Sequence, residues 1–341
     1  MSSQARIVDV AREAGVSPKT VSNFLHDHPH MSESTRARVA AAVHKLNYQP
    51  NVSARMLRGG RAGTIGLAVP GLRVPYFAEL AGAMATEAER RGYTLLIDQT
   101  GADVEHERRA IAGFGRNAID GLVLHPDALD DAELAAVPRR FPLVVIGERS
   151  HPPGVPYVGI DNVAAARVAT EHLLGLGRRR IAFVGTQPSK PHGTWSHRVR
   201  GFTEALEAAG IASRPDWLVP TVTGERSGGA EAVRRLLADG ERPDALFCYS
   251  DLVATGALLA LHEAGVRVPD DIAVLGWDDV AEAGYTWPPL TSLRADIGAI
   301  AHHAIDAVLR QAAGEPVDPI DRYVDFTLIE RASTLGCSRD A

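Results

Sequence analysis

From Thr64 onward, eight short apolar runs recur along the chain: TIGLAV, YTLLID, GLVLH, LVVIG, YVGID, RIAFVG, DALFCYS and DIAVLGWD. Helical stretches separate most of them, among them 77–91, 164–176, 198–209 and 229–238. Parallel strands cannot be joined by a tight turn, so strand, helix, strand at this rhythm predicts parallel, doubly wound α/β sheets. The runs are nearly continuous in Val, Ile and Leu, as in strands covered on both faces. About 280 residues is large for one core, which predicts two lobes with a cleft between them. Ligands in such folds sit beyond the carboxyl ends of strands. The residues standing there are Pro70, Asp98, His125, Gly147, Asp161, Gly185, Ser250 and Asp278.

The first sixty residues have a different texture. Residues 11–23, AREAGVSPKTVSN, read as a helix, a tight turn at Gly15 and a second helix after Ser17. At 3.6 residues per turn, Val21, Phe24 and Leu25 share one side of the second helix, with Lys19 and Asn23 about half a turn away. Ile7, Val10, Ala11 and Ala14, at i, i+3, i+4 and i+7, give the first helix a matching apolar stripe. Pro18, Lys19, Ser22 and Asn23, with Ser17 and Thr20 beside them, then occupy the end that a helix-turn-helix presents to the major groove. A small helical hairpin with a solvated polar face has the same wheel. Ser32 has the form of an N-cap for a third helix with Val39, Val43 and Leu46 as its stripe. This all-α head spans 1–50, and 51–61 (NVSARMLRGGR) reads as a short hinge helix or linker ended by two glycines. Too short to be stable alone, it carries Leu57 between Arg55 and Arg58, which suits an apolar wedge in a minor groove.

Charge supports a nucleic-acid partner. The chain is formally −6, but residues 1–61 hold nine Lys/Arg against four Asp/Glu, or +5, leaving −11 on the remainder. A basic head on an acidic body suits phosphate binding.

Other classes find little support. No apolar run approaches the roughly 18 residues of a membrane span, and the charged N-terminus is unlike a signal peptide. Two cysteines, Cys248 and Cys337, form no disulfide framework or metal quartet, so a reduced, cytoplasmic setting is expected. His26, His28 and His30 lack a fourth ligand nearby and read as a polar loop. His302 and His303 read as surface groups. No G-x-S-x-G elbow, phosphate-binding P-loop or H-E-x-x-H is present, so neither an enzyme nor a cofactor is expected.

Eight segments, taken in order, carry a resemblance: VDVAREAGVSPKTVSNFLH, MSESTRARVAAAVHKLNYQPN, ARMLRGGRAGTIGLAVP, PYFAEL, EHLLGLGRRRIAFVG, RVRGF, VPDDIAVLGWDD and PPLTS. Over about residues 6–334 the chain resembles the LacI/GalR family of bacterial transcription regulators. The resemblance implies a cytoplasmic homodimer, most often a repressor, on a near-palindromic DNA operator. Its core would be similar to periplasmic sugar-binding proteins and would close over a small effector: a sugar, sugar phosphate or nucleoside. A transport binding protein shares that core but has no use for a basic head. The short polar tail, ERASTLGCSRDA, favours a dimer over a tetramer.

Carried over by position, Pro18, Lys19 and Asn23 fall where the family reads bases, and Leu57 where its hinge leucine enters the minor groove. Pro75, Tyr76 and Phe77 match an effector-pocket segment. Arg198 matches an arginine that grips ligand hydroxyls or a carboxylate, Asp278 an acid that accepts from sugar hydroxyls, and Ser250 a position often held by asparagine. His125 at a strand end and Trp277, a stacking surface, complete the expected pocket, with Arg198 and Asp278 meeting across the cleft around the ligand. Structural alternatives are a capping Asp278, an Arg198 ion pair between lobes, and Trp195 and Trp277 as core. The expected lobes are about 62–161 plus 291–320, and about 162–290 plus 321–341. The sequence departs from the family at three places: Asn23 where arginine is frequent, Arg6 where Ser or Thr caps the first helix, and Gly147 where many sugar-binding members carry aspartate, with Glu148 adjacent.

Overall fold

A computed structural model of the chain describes residues 5–25, 31–48, 61–114, 119–147, 154–188, 194–238, 240–316 and 321–336. It divides into two compact units, 1–62 and 63–341.

The first unit holds α1 (Ile7–Ala14), α2 (Pro18–Leu25) and α3 (Glu33–Lys45). Val10, Ala11, Ala14, Val21, Val39 and Ala42 form its buried centre, with Ile7, Phe24, Leu25, Val43 and Leu46 packed around it. Gly15 closes α1 at φ 62°, the left-handed cap that favours glycine. Ser32 caps α3 by accepting from the Thr35 N–H at 3.4 Å. Arg6 offers no acceptor, and the cap comes from the other direction: Asp9 accepts the Arg6 N–H at 2.9 Å.

Among the described residues, the second unit contains two six-stranded sheets. The first lobe follows β1 (Thr64–Val69), α4 (Pro75–Arg90), β2 (Thr94–Gln99), α5 (Val104–Gly113), β3 (Gly121–Leu124), α6 (Asp131–Ala136), β4 (Leu143–Ile146) and β5 (Tyr157–Gly159). The second follows α7 (Asn162–Gly175), β6 (Ile181–Thr186), α8 (Thr194–Ala208), β7 (Leu218–Pro220), α9 (Arg226–Ala238), β8 (Ala245–Cys248), α10 (Asp251–Glu263) and β9 (Ala273–Trp277). Then come β10 (Thr291–Ala295), α11 (Ile297–Ala312), β11 (Asp321–Tyr323), β12 (Phe326–Ile329) and α12 (Ala332–Leu335). The sheet orders are β11-β5-β4-β3-β1-β2 and β12-β10-β9-β8-β6-β7. All pairings are parallel except β10 with β12.

The expected lobe boundaries need correction near the end of the chain. Residues 291–295 belong to the second lobe, because β10 pairs with β9 and β12. Residues 321–323 belong to the first, because β11 pairs with β5. The chain therefore crosses late between β10 and α11, and again between β11 and β12. Strands β7, β10, β11 and β12 also lack the long apolar runs of the others, being edge or near-edge strands of three to five residues.

Close helix crossing makes glycine obligatory where α9 meets α10. A Cβ at Gly229 would lie 2.2 Å from the Val253 carbonyl oxygen, and one at Gly256 would lie 1.9 Å from that of Arg226. Gly256→Ala is therefore expected to destabilise the protein by about 1–3 kcal/mol through overpacking. Urea denaturation should show a lowered midpoint; an unchanged midpoint would contradict this crossing.

Candidate DNA-reading surface and effector cleft

In the head, the two faces of α2 are separated as its periodicity requires. Val21 is buried; Ser17, Pro18 and Lys19 are exposed, and Thr20, Ser22 and Asn23 are half-buried. Ser17 and Thr20 have a structural task as well. The Thr20 N–H donates to Ser17 Oγ at 3.1 Å and the two hydroxyls lie 2.9 Å apart, closing the N-terminus of α2. Arg55, Leu57, Glu148 and the three loop histidines lie outside the described residues.

The cleft residues come from the carboxyl ends of strands and the helices that follow. From the first lobe, α4 supplies Tyr76 and Phe77, and the end of β3 supplies His125. Their rings meet edge to face, Tyr76 with Phe77 at 5.3 Å and Phe77 with His125 at 4.8 Å. Gly147 follows β4 at φ 112°, and a Cβ there would fall 2.5 Å from His125 Nε2. The imidazole thus fills the space an aspartate at 147 would need.

Arg198 on α8 and Asp278 after β9 stand on the same lobe, which corrects the expectation that they approach from opposite sides of the cleft. Arg198 is only 2% exposed. Its Nε donates to Asn162 Oδ1 at 3.3 Å, and Nη1 donates to the Tyr249 carbonyl. The guanidinium lies 4.0 Å from the Trp277 ring centroid and 4.6 Å from that of Tyr249. Burial pulls its pKa down, opposed by Tyr249 and Asp278. Aromatic faces and oxygen acceptors together make that desolvated cation tolerable.

Two further expectations change. Trp277 is 1% exposed and stacks on Phe247 at 6.1 Å, so it supports Arg198 and is not a surface for a ligand ring. Ser250 accepts the Val253 N–H at 3.4 Å and caps α10. A serine after a strand and before a helix is an ordinary cap signal, and it outweighed the positional match.

Asp278 borders open volume. A cavity of about 320 Å³ beside it is lined by Glu79, Asp279, Arg294, Asp296, Asp325 and Phe326, among others. Burial pushes the Asp278 carboxyl up to about 7; nearby Arg198 opposes this and Glu79 adds to it. Burial, then Asp278, also raises the Tyr76 hydroxyl. Glu79 bridges the lobes by accepting the Ala281 N–H at 3.0 Å. Arg198, Tyr76 and His125 are all nearly inaccessible, so a ligand reaching them requires the lobes to part.

Reading the sequence alone missed Asn162, Tyr249 and Glu107. Glu107 on α5 is fully buried, and its carboxylate accepts the N–H groups of Asp127, Ala128 and Leu129 at 2.8, 3.0 and 2.9 Å. It fixes the loop that follows His125. Only a long-range fold contact reveals this, because position 107 reads as one more helix-surface acid. His302 meets Glu87 at 3.2 Å and His303 meets Arg322 at 2.9 Å. Among the described residues, no group that could hold a metal ion occurs and no helix is long and apolar enough to cross a membrane.

A helix-turn-helix head joined to a two-lobed α/β core with a strand-end cleft defines a DNA-binding regulator controlled by a small effector. Residues 6–51 match the model of bacterial regulatory proteins of the lacI family, and residues 170–334 match a periplasmic binding protein-like domain. The HTH-type transcriptional regulator GalR of Escherichia coli (strain K12) is 34% identical over 99% of this chain and 98% of its own. The lac repressor dimer bound to operator and the anti-inducer ONPF superposes with a TM-score of 0.83 at 27% identity, covering 97% of this chain and 99% of that one. A complex of the transcriptional regulator CelR with cellobiose gives 0.69 at 29%, covering 96% and 99%. The chain belongs to the lacI family. It is a transcriptional repressor whose grip on DNA answers to a small molecule.

The raised Asp278 carboxyl has a consequence for stability. The folded protein keeps that proton up to about pH 7, whereas an ordinary aspartate loses it near 3.8. Between those values the folded state binds more protons than the unfolded one, so stability falls as pH rises through the window. Asp251, which burial also pushes well above its ordinary value, adds a slope of the same sign. Subtracting the thermal-midpoint profile of Asp278→Asn from that of the wild type isolates the Asp278 part. Parallel profiles from pH 4 to 8 would show that Asp278 is not shifted upward.

Proposed function

We propose that the effector is a neutral polyhydroxyl compound, a sugar before a nucleoside, held at the Asp278 carboxylate. The observation that carries this reading is the acidity of the cavity. Glu79, Asp278, Asp296 and Asp325 line it, while its other two charged lining residues among those described, Asp279 and Arg294, neutralise each other. Arg294 is itself committed, donating Nε to Asp279 Oδ2 at 2.7 Å. An anionic ligand would meet like charge there, which places sugar phosphates last. A hydroxyl donating to a carboxylate in a half-buried site makes a strong, charge-assisted bond. Cellobiose in the CelR complex is a ligand of this kind.

In this reading a homodimer binds a near-palindromic operator in the cytoplasm and performs no chemistry on its ligand. Lys19 and Asn23, with Ser17, Pro18, Thr20 and Ser22 around them, face the bases and phosphates; Leu57 enters the minor groove with Arg55 on the phosphates beside it. The effector selects one lobe geometry and so changes operator affinity, by about 1–3 kcal/mol if coupling is of the usual size.

A thermal-shift panel of neutral sugars, nucleosides and sugar phosphates tests the effector. A ligand at 100 times its Kd stabilises by about 2.7 kcal/mol. A neutral sugar should raise the midpoint, with affinity improving as pH rises towards 7 and Asp278 ionises. Asp278→Ala should lose the response while still binding operator. A response confined to sugar phosphates would overturn the assignment.

Asparagine pairs best with adenine, and arginine with guanine. Asn23→Ala is therefore expected to relax discrimination at one base pair by about 1–3 kcal/mol without unfolding the head. Binding measured against every single-base operator variant checks this; an unchanged ranking would remove Asn23 from direct readout.

A further inference from the structure

Beneath Asp278 lies a charge network whose hold on the backbone the effector reading leaves unexplained. Asp278 and Asp279 are consecutive non-glycine residues with positive φ, 105° and 49°. L side chains rarely adopt this backbone, and it persists only where the surroundings impose it. Here they do. The Asp279 N–H donates to Ser292 Oγ at 3.0 Å, and the Val280 N–H donates to Asp251 Oδ2 at 2.9 Å. The Ser292 hydroxyl donates in turn to Asp251 Oδ1 at 2.6 Å. The Asp279 carboxylate, with its side chain 1% exposed, accepts from Arg294 Nε at 2.7 Å and Arg331 Nη1 at 2.5 Å.

The positions of the two arginines give the network its meaning. Arg294 is on β10, two residues before the chain leaves for α11 and the first lobe. Arg331 follows β12, the strand by which the chain has just returned from β11. Arg331 is fixed in addition by donating Nη1 to the Leu290 carbonyl at 2.7 Å, while its N–H donates to Thr291 Oγ1 at 2.8 Å.

Resting on the reading of Asp278 as the effector's acceptor, we propose that Asp279, gripped by Arg294 and Arg331 over the Asp251–Ser292 pair, is the positioning residue that aims Asp278 into the cleft. It thereby ties the ligand's contact to both late crossovers between the lobes. Occupancy at Asp278 then bears on β10 and on the segment after β12 through two charge-assisted bonds, besides any contact the ligand makes with Arg294 or Phe326 in the cavity wall.

The position of Asp278 can be read on its own carboxyl, without any ligand. The groups that face it are Arg198 on α8, Tyr76 and Glu79 on α4, Tyr249 after β8 and Asp251 on α10. Arg294, Asp296 and Asp325 face it around the cavity. In the full-length ligand-free chain, a ¹³C-carboxyl NMR titration gives the Asp278 midpoint, with the signal assigned by its loss in Asp278→Asn. Arg331→Gln leaves Asp279 less neutralised, so charge alone would raise that midpoint. Loss of aim would instead turn Asp278 towards water and lower it. We expect a fall of one pH unit or more. Arg294→Gln, altering a side chain that is half exposed, should act in the same direction and serves if the first variant does not fold. A midpoint that rises or stays put, even with a lowered thermal midpoint, would reduce the network to a structural ion pair. Because no effector is added, this result stands or falls separately from the sugar panel.

Discussion

A parallel strand cannot return to its neighbour without crossing the face of its sheet, and the core is built on that constraint. Every strand up to β9 needs a crossover, most crossovers are helical, and the helices cover both faces. All the carboxyl ends of a sheet then point the same way, and the loops at those ends form the walls of one cleft. Tyr249 and Asp278 end different strands of the second sheet and face one another for this reason. The tight α9–α10 crossing at Gly229 and Gly256 is the packing consequence of covering β6 and β8 from one side.

Burial of charge is the second theme, and each buried group has its own solution. Arg198 exchanges water for Asn162, the Tyr249 carbonyl and two aromatic faces. Glu107 exchanges it for three backbone N–H groups. Asp279 takes two arginines. Asp278 is different: it keeps access to the cavity, and its carboxyl is raised because burial is only partly offset by Arg198. A carboxylate held this way gains from any donor that arrives, which makes it the natural point of contact for a ligand.

The head solves a smaller problem by local means. Its short helices bury few side chains, so caps carry more of the load: Gly15 at the end of α1, the Ser17–Thr20 pair opening α2, Ser32 opening α3. The Asp9 carboxylate on the Arg6 N–H replaces the missing hydroxyl cap, and the main chain beside it lowers the Asp9 pKa, with Arg6 and Arg12 adding to the effect. An apparent departure at position 6 is thereby compensated three residues later.

Local periodicity and end signals were enough to determine, from sequence alone, the three helices of the head, the parallel α/β class of the core and the strand-end positions of His125 and Asp278. Those properties depend on residues within one or two turns of each other. The tertiary structure decided what depends on distant partners. It moved β10 to the second lobe and β11 to the first, because strands of three to five residues take their identity from pairing and not from their own composition. It buried Arg198 against Asn162 and Tyr249, gave Trp277 to the support of Arg198 and Ser250 to a helix end, and joined Asp279 to arginines 15 and 52 residues away. No spacing rule along the chain encodes those contacts, since each exists only after the sheets have brought the strands together.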